Sequence, residues 1–179
     1  MVKVKDMNRT YHQSALRAWR ISVPGSVYAI TACVQDKTVP LIGNPYQVMA
    51  NDPIPTTVMS AWQWLHEKGR MRCQGFVVMP DHVHFMFTLL EGHTLSDVMH
   101  SFRRFTARKI NQILQRQGQF WQKGFYDHRI HDADVFARYL EYIYLNPVRA
   151  KYVTAPEAWP FSDFFPQWQT PKNQSIHHQ

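Results

Sequence analysis

Cysteine is scarce in this sequence: its 179 residues include two, Cys33 and Cys73. Neither belongs to a C-x-x-C pair and each sits in an apolar stretch. The pattern speaks against a zinc centre or a disulfide framework and for reduced thiols in a core. Long hydrophobic runs are also missing. The longest lies around residues 85–90, far below the roughly 18–20 residues needed to cross a bilayer. The polar, basic N-terminus lacks the apolar stretch of a secretory signal, so a cytoplasmic protein with no membrane partner is the expectation. Acidic residues are the third shortage, 13 Asp and Glu against 20 Lys and Arg, for a net charge of +7 and an isoelectric point near 9.6. That imbalance favours a polyanionic partner, nucleic acid before membrane.

What is present suffices for one domain: 45% hydrophobic residues and 14% aromatics, over a length that ordinarily builds a single core. Residues 1–20 read as a basic arm carrying Arg17 and Arg20, and the turn "SVPGS" separates it from the β-type run "VYAITACV". A helix is predicted over 58–66, ended by Gly69. "MRCQGFVVM" and "HVHFMFTLL" then read as an antiparallel hairpin joined by Pro80 and Asp81. A second helix, over 95–116, puts Leu95, Val98, Met99, Phe102, Phe105, Ile110 and Ile113 on a core face with Arg104 and Arg108 opposite; Lys109 must snorkel from the apolar side. A short strand follows in "FWQKGFYDHRI". Asp132 can cap a third helix with Val135, Phe136, Tyr139, Leu140 and Ile143 inward, until Pro147 ends or kinks it. The fold class is therefore α+β, a ferredoxin-like antiparallel sheet of order βαββαβ plus a C-terminal helix. Helices should cover one face and leave the other available. Residues 21–153 form the domain, and 154–179, rich in proline and aromatics, lie along it.

Strand alternation directs His82, His84, Met86 and Thr88 to one face and Val83, Phe85, Phe87 and Leu89 to the other. The apolar set makes core. Two imidazoles at i and i+2 suit two ligands of a divalent metal, although H-x-H alone is a weak motif and satisfied histidines are the plainer alternative. The last helix offers further polar groups: Tyr142 and Asn146 share a face, with Arg138 and Arg149 near it. A tyrosine flanked by arginines suits nucleophilic attack on a phosphodiester; an amphipathic tyrosine at a helix edge is the structural alternative. "SFRRFTARKIN" is either a solvated face or a phosphate-contacting one.

Taken together, these blocks resemble the single-tyrosine HUH transposases and, within them, the REP-associated tyrosine transposases. "VVMPDHVHFMFTL" resembles the family's His-hydrophobic-His strand, "FWQKGFYDHRI" its Trp-Gln block, "YIYLNPVRAKYV" its tyrosine helix, and "AWPFSDF" a downstream element, in order across 17–165. The resemblance implies Tyr142 as nucleophile, with His82, His84 and Asn146 holding Mg²⁺ or Mn²⁺. It implies cleavage and rejoining of a strand through a 5′-phosphotyrosine link. The partner would be single-stranded DNA folded as an imperfect hairpin with a flanking guide sequence, bound by a monomer in preference to a dimer. Phosphate contacts are expected from Arg103, Arg104, Arg108, Arg149 and Lys151, base stacking from Trp121, Phe125 or Tyr126, reading of the flanking bases from Arg17 and Arg20, and a further DNA contact from Arg138. The alternative from another class is a hairpin-binding protein that keeps the fold and does not cleave. Departures from the family pattern are Leu145 after Tyr144 and Lys151 where a small residue is common.

Overall fold

The computed structural model describes residues 21–163. Four strands, β1 (Val27–Cys33), β2 (Met71–Val78), β3 (His82–Leu89) and β4 (Tyr126–Ile130), form one antiparallel sheet in the order β2-β3-β1-β4. Helix α1 (Pro53–Glu67) joins β1 to β2, α2 (Leu95–Ile113) joins β3 to β4, and α3 (Ala133–Arg149) follows β4. The βαββαβ order with an added helix is the expected ferredoxin-like arrangement.

The hairpin and the caps follow local chemistry. Thr94 Oγ1 accepts from the Asp97 amide at 3.1 Å to start α2, and Asp132 Oδ1 accepts from the amides of Asp134 and Val135 at 2.8 and 3.0 Å to start α3. Helix α1 begins at Pro53, earlier than predicted, because Asp52 caps it and prolines fit a first turn whose amides need no helical partner. All three helices end in the same paired turn. The amides of Gly69 and Arg70, of Gln115 and Arg116, and of Lys151 and Tyr152 return to the last free carbonyls of their helices. The first residue of each pair takes a left-handed φ: 64° at Gly69, 50° at Gln115 and 61° at Lys151.

The core on one face of the sheet is aromatic. Trp62 of α1 stacks on Phe85 with ring centroids 3.7 Å apart, and Phe102 of α2 meets Phe85 edge-on at 4.9 Å. On α2, two residues depart from the predicted core face: Phe105 and Ile113 are 48% and 41% exposed. Thr106 lies inward instead, its hydroxyl donating to Phe102 O and accepting from the Trp121 indole. Lys109 shares the exposed side with Phe105 and needs no snorkelling.

The second face of the sheet is not left open as expected, because α3 lies across it. Met86, Ala29 and His84 are buried there. A Cβ at Gly75 of β2 would stand 2.6 Å from Leu140 Cδ1 of α3, so this glycine permits the close approach. The free edge of β2 is covered by 159–163: Val78 N donates to Phe161 O at 2.8 Å and the Trp159 indole donates to Val78 O at 2.9 Å.

Lys151 pays a steric penalty that glycine avoids at a left-handed residue. Replacing Lys151 by Gly should raise unfolding stability by about 1 kcal/mol in urea titration. A loss of stability would show that the lysine side chain makes a compensating contact.

Candidate functional site

The histidine face assembles from neighbouring strands. His84 pairs with Thr31 of β1, and Thr31 in turn pairs with Tyr126 of β4, so all three share one row and one face; His82 pairs with Cys33. The two imidazoles are 4.7 Å apart between ring centroids. Each has its Nδ1 held. Thr31 Oγ1 lies 2.8 Å from His84 Nδ1, and Asp81 Oδ1 lies 2.6 Å from His82 Nδ1.

Asp81 is anchored a second time by Lys37 Nζ at 2.7 Å. The hydrogen bond from His82, with the Lys37 contact behind it, holds the Asp81 carboxyl well below the usual carboxylate range. An ionised carboxylate only accepts, so His82 Nδ1 donates and its Nε2 is the ring atom left for a ligand. His84 is driven towards its neutral form, chiefly by burial and then by the nearby His82. Its Nε2 is buried without a hydrogen-bond partner. A neutral imidazole with Nδ1 oriented and Nε2 unmatched is what a metal ligand requires. The residues present therefore fit a divalent cation. Among the described residues no three His, Cys, Asp or Glu gather into a metal set. Asn146, the expected third ligand, is buried on α3 one turn past Tyr142.

Helix α3 brings the tyrosine over this row. The Tyr142 ring stands edge-on to His84 with centroids 5.2 Å apart, and the Arg149 guanidinium lies 5.3 Å from the Tyr142 centroid. Helical spacing places Arg138, Tyr142, Asn146 and Arg149 on one side of α3. Its height is set by Leu140 on Gly75 and by the stacking of Tyr139 on His128, 5.4 Å between centroids.

Other predicted contacts fall elsewhere. Trp121 is 2% exposed, its indole donating to Thr106 Oγ1 at 2.9 Å, so it is a core residue and not a stacking platform. The local Trp-Gln pattern carried no sign of that burial, which comes from the pairing of 121 with Val34 beneath α2. Arg103 directs its guanidinium to the carbonyls of Gln122 and Lys123, fastening α2 to that segment. Arg104 and Arg108 are exposed on α2, whose layer packs on the Phe85 face; they are not brought together with Tyr142. Lys151 is exposed just beyond α3, and Tyr126, 43% exposed, joins the His84 row. Arg17 and Arg20 lie outside the described residues. Sequence reading missed Thr31, Asp81 and Lys37. An acid immediately before the first histidine was the available signal for Asp81, whereas Thr31 is identified only by strand register.

An antiparallel sheet carrying paired histidines beneath a helix-borne tyrosine has the architecture of a DNA transposase. The chain belongs to the IS200-like transposase family: residues 39–144, more than half its length, match the family profile described as "Transposase IS200 like". It is similar to proteins named REP-associated tyrosine transposase in Haemophilus influenzae, 29% identical over 78% of this chain and 80% of that one, and in Escherichia coli K12, 25% identical over 81% and 80%. Its fold matches a solved REP-associated tyrosine transposase bound to a REP hairpin, with a TM-score of 0.62 and 23% identity over 81% of this chain and 80% of the other. Among the described residues no helix is long and apolar enough to cross a membrane.

Thr31→Val keeps the shape of the side chain and removes the partner of His84 Nδ1. It should destabilise the fold by about 1–3 kcal/mol in chemical denaturation, with Thr31→Ser restoring most of the loss.

Proposed function

We propose that this protein is a metal-dependent tyrosine transposase and single-strand DNA endonuclease. It binds a REP-like hairpin with its flanking guide sequence, and cleaves and rejoins the strand through a 5′-phosphotyrosine link on Tyr142. The observation that carries this reading is the Tyr142 ring set edge-on to the buried His84, 5.2 Å away, within one chain. The hairpin as substrate is supported by the solved protein of similar fold, which holds one, and by the names of the two relatives.

The Tyr142 hydroxyl attacks the scissile phosphorus, the bond to the 3′-oxygen breaks, and that oxygen takes up a proton as a free 3′-hydroxyl while the phenolic proton passes to solvent. One phosphodiester has replaced another. A 3′-hydroxyl can therefore attack the link in reverse and rejoin a strand without ATP. Arg149, beside the Tyr142 ring, is placed to hold the phosphate and offset its charge, and Arg138 and Lys151 extend a basic margin along α3. Tyr126 offers an aromatic surface to an unpaired base in the same row. His82, His84 and Asn146 would hold Mg²⁺ or Mn²⁺, and the bound ion supplies polarisation of the scissile phosphate and neutralisation of developing charge. Two imidazoles with one amide oxygen suit Mn²⁺ better than Mg²⁺. Tyr142 lies over His84 of its own chain, which supports the monomeric reading.

Incubation of the protein with a labelled hairpin oligonucleotide and Mn²⁺ should give a covalent adduct that survives denaturing electrophoresis. Tyr142→Phe should abolish the adduct while retaining hairpin binding. His84→Ala should lower Mn²⁺ affinity at least about tenfold in calorimetry. A wild-type protein that binds the hairpin tightly and never forms the adduct would be a non-cleaving binder, and the catalytic reading would fail.

A further inference from the structure

We infer a second nucleic-acid site, in the groove between α1 and α2, that takes a single strand by stacking an unpaired base between Trp64 and Phe105. The groove is a cavity of about 690 Å³, of the size that holds a compact ligand. Its floor is apolar, with Leu65 and Phe102 buried at the helix contact. Its walls are two aromatic side chains held in solvent, Trp64 at 43% and Phe105 at 48% exposure. One comes from each helix, and both line the same cavity.

Three arginines line the same cavity and no carboxylate does. Arg70 is already oriented: its guanidinium lies 5.0 Å from the Trp64 ring centroid and donates to Ser101 Oγ at 3.0 Å. Arg104 and Arg108 are exposed at i and i+4 on α2, where like charges repel. Among the described residues neither makes an ion pair or a hydrogen bond. An anion between them removes the repulsion. Aromatic faces for bases beside guanidinium groups for phosphates is the chemistry of single-strand binding. A duplex keeps its bases stacked inside and cannot offer one to the walls.

The site is separate from the tyrosine. Phe85 points into the α1 and α2 layer, whereas its neighbour His84 points to α3, so groove and tyrosine lie on opposite sides of the sheet. A nucleotide held in the groove is not the nucleotide at the tyrosine. The groove therefore anchors DNA away from the scissile bond.

The test uses Tyr142→Phe protein, which keeps cleavage out of the measurement, and a fluorescein-labelled oligothymidylate too short to form a hairpin. Adding Trp64→Ala and Phe105→Ala should weaken binding roughly tenfold or more. Adding Arg104→Glu and Arg108→Glu should weaken it further and flatten its salt dependence. A 5-iodouracil oligonucleotide should photo-crosslink to the peptides carrying Trp64 or Phe105. Both aromatics are exposed, so melting temperatures should stay close to the parent's. Unchanged affinity in the aromatic variant, crosslinks confined to α3 and β4, or equal competition by polyglutamate would overturn the site. So would loss of self-association, or of docking by residues 164–179, without any change in oligonucleotide binding. Adduct formation on a hairpin, measured separately with Tyr142 intact, tests the catalytic reading and does not decide this one.

Discussion

Helix α3 lies close on the histidine face because β2 presents Gly75 there. A methyl group at that position would enter the space of Leu140 Cδ1, 2.6 Å away, and the helix or the leucine would have to give. Tyr142 is two residues beyond Leu140, so the height of the helix over the sheet is also the height of the tyrosine over His84. Other contacts hold the helix at its ends. Asp132 caps its start, Tyr139 rests on His128, and the turn at Lys151 sends the chain to Tyr152, which stacks on Trp159 at 5.7 Å. Trp159 in turn is bonded to the edge of β2, the strand that carries Gly75.

The sheet divides its work by parity. On β3, Val83, Phe85, Phe87 and Leu89 face the α1 and α2 layer and His82, His84 and Met86 face α3. Covering both faces has an electrostatic consequence. An imidazole in an open row would titrate near the ordinary histidine value, but His84 beneath α3 is kept neutral by burial. The neutral form has a lone pair to offer a metal. The same packing that delivers the tyrosine keeps His84 neutral.

Local chemistry was readable from the chain. Period-two alternation separated the histidines from Val83, Phe85, Phe87 and Leu89, Asp132 announced a helix, and Gly69 announced an end, because each depends on residues within a few positions. Legibility failed where a distant partner decided. Phe105 has the spacing of a core residue, yet Thr106 turns inward because Trp121 supplies its hydroxyl with a donor. Trp121 looked available for stacking, yet the bridge to Val34 buries it. The helix expected over 58–66 starts earlier because Pro53 and Pro55 fit a first turn capped by Asp52.

The sequence by itself determined the α+β order, the faces of the histidine strand, and the common side of α3 shared by Tyr142, Asn146 and Arg149, since backbone period sets all three. Only the tertiary structure decided that α3 covers the histidines, that Thr31 and Asp81 orient them, and that Arg104 and Arg108 stand on the far side of the sheet. Those outcomes depend on strand register and on how closely a helix can approach a glycine, and neither quantity is expressed within any short stretch of the chain.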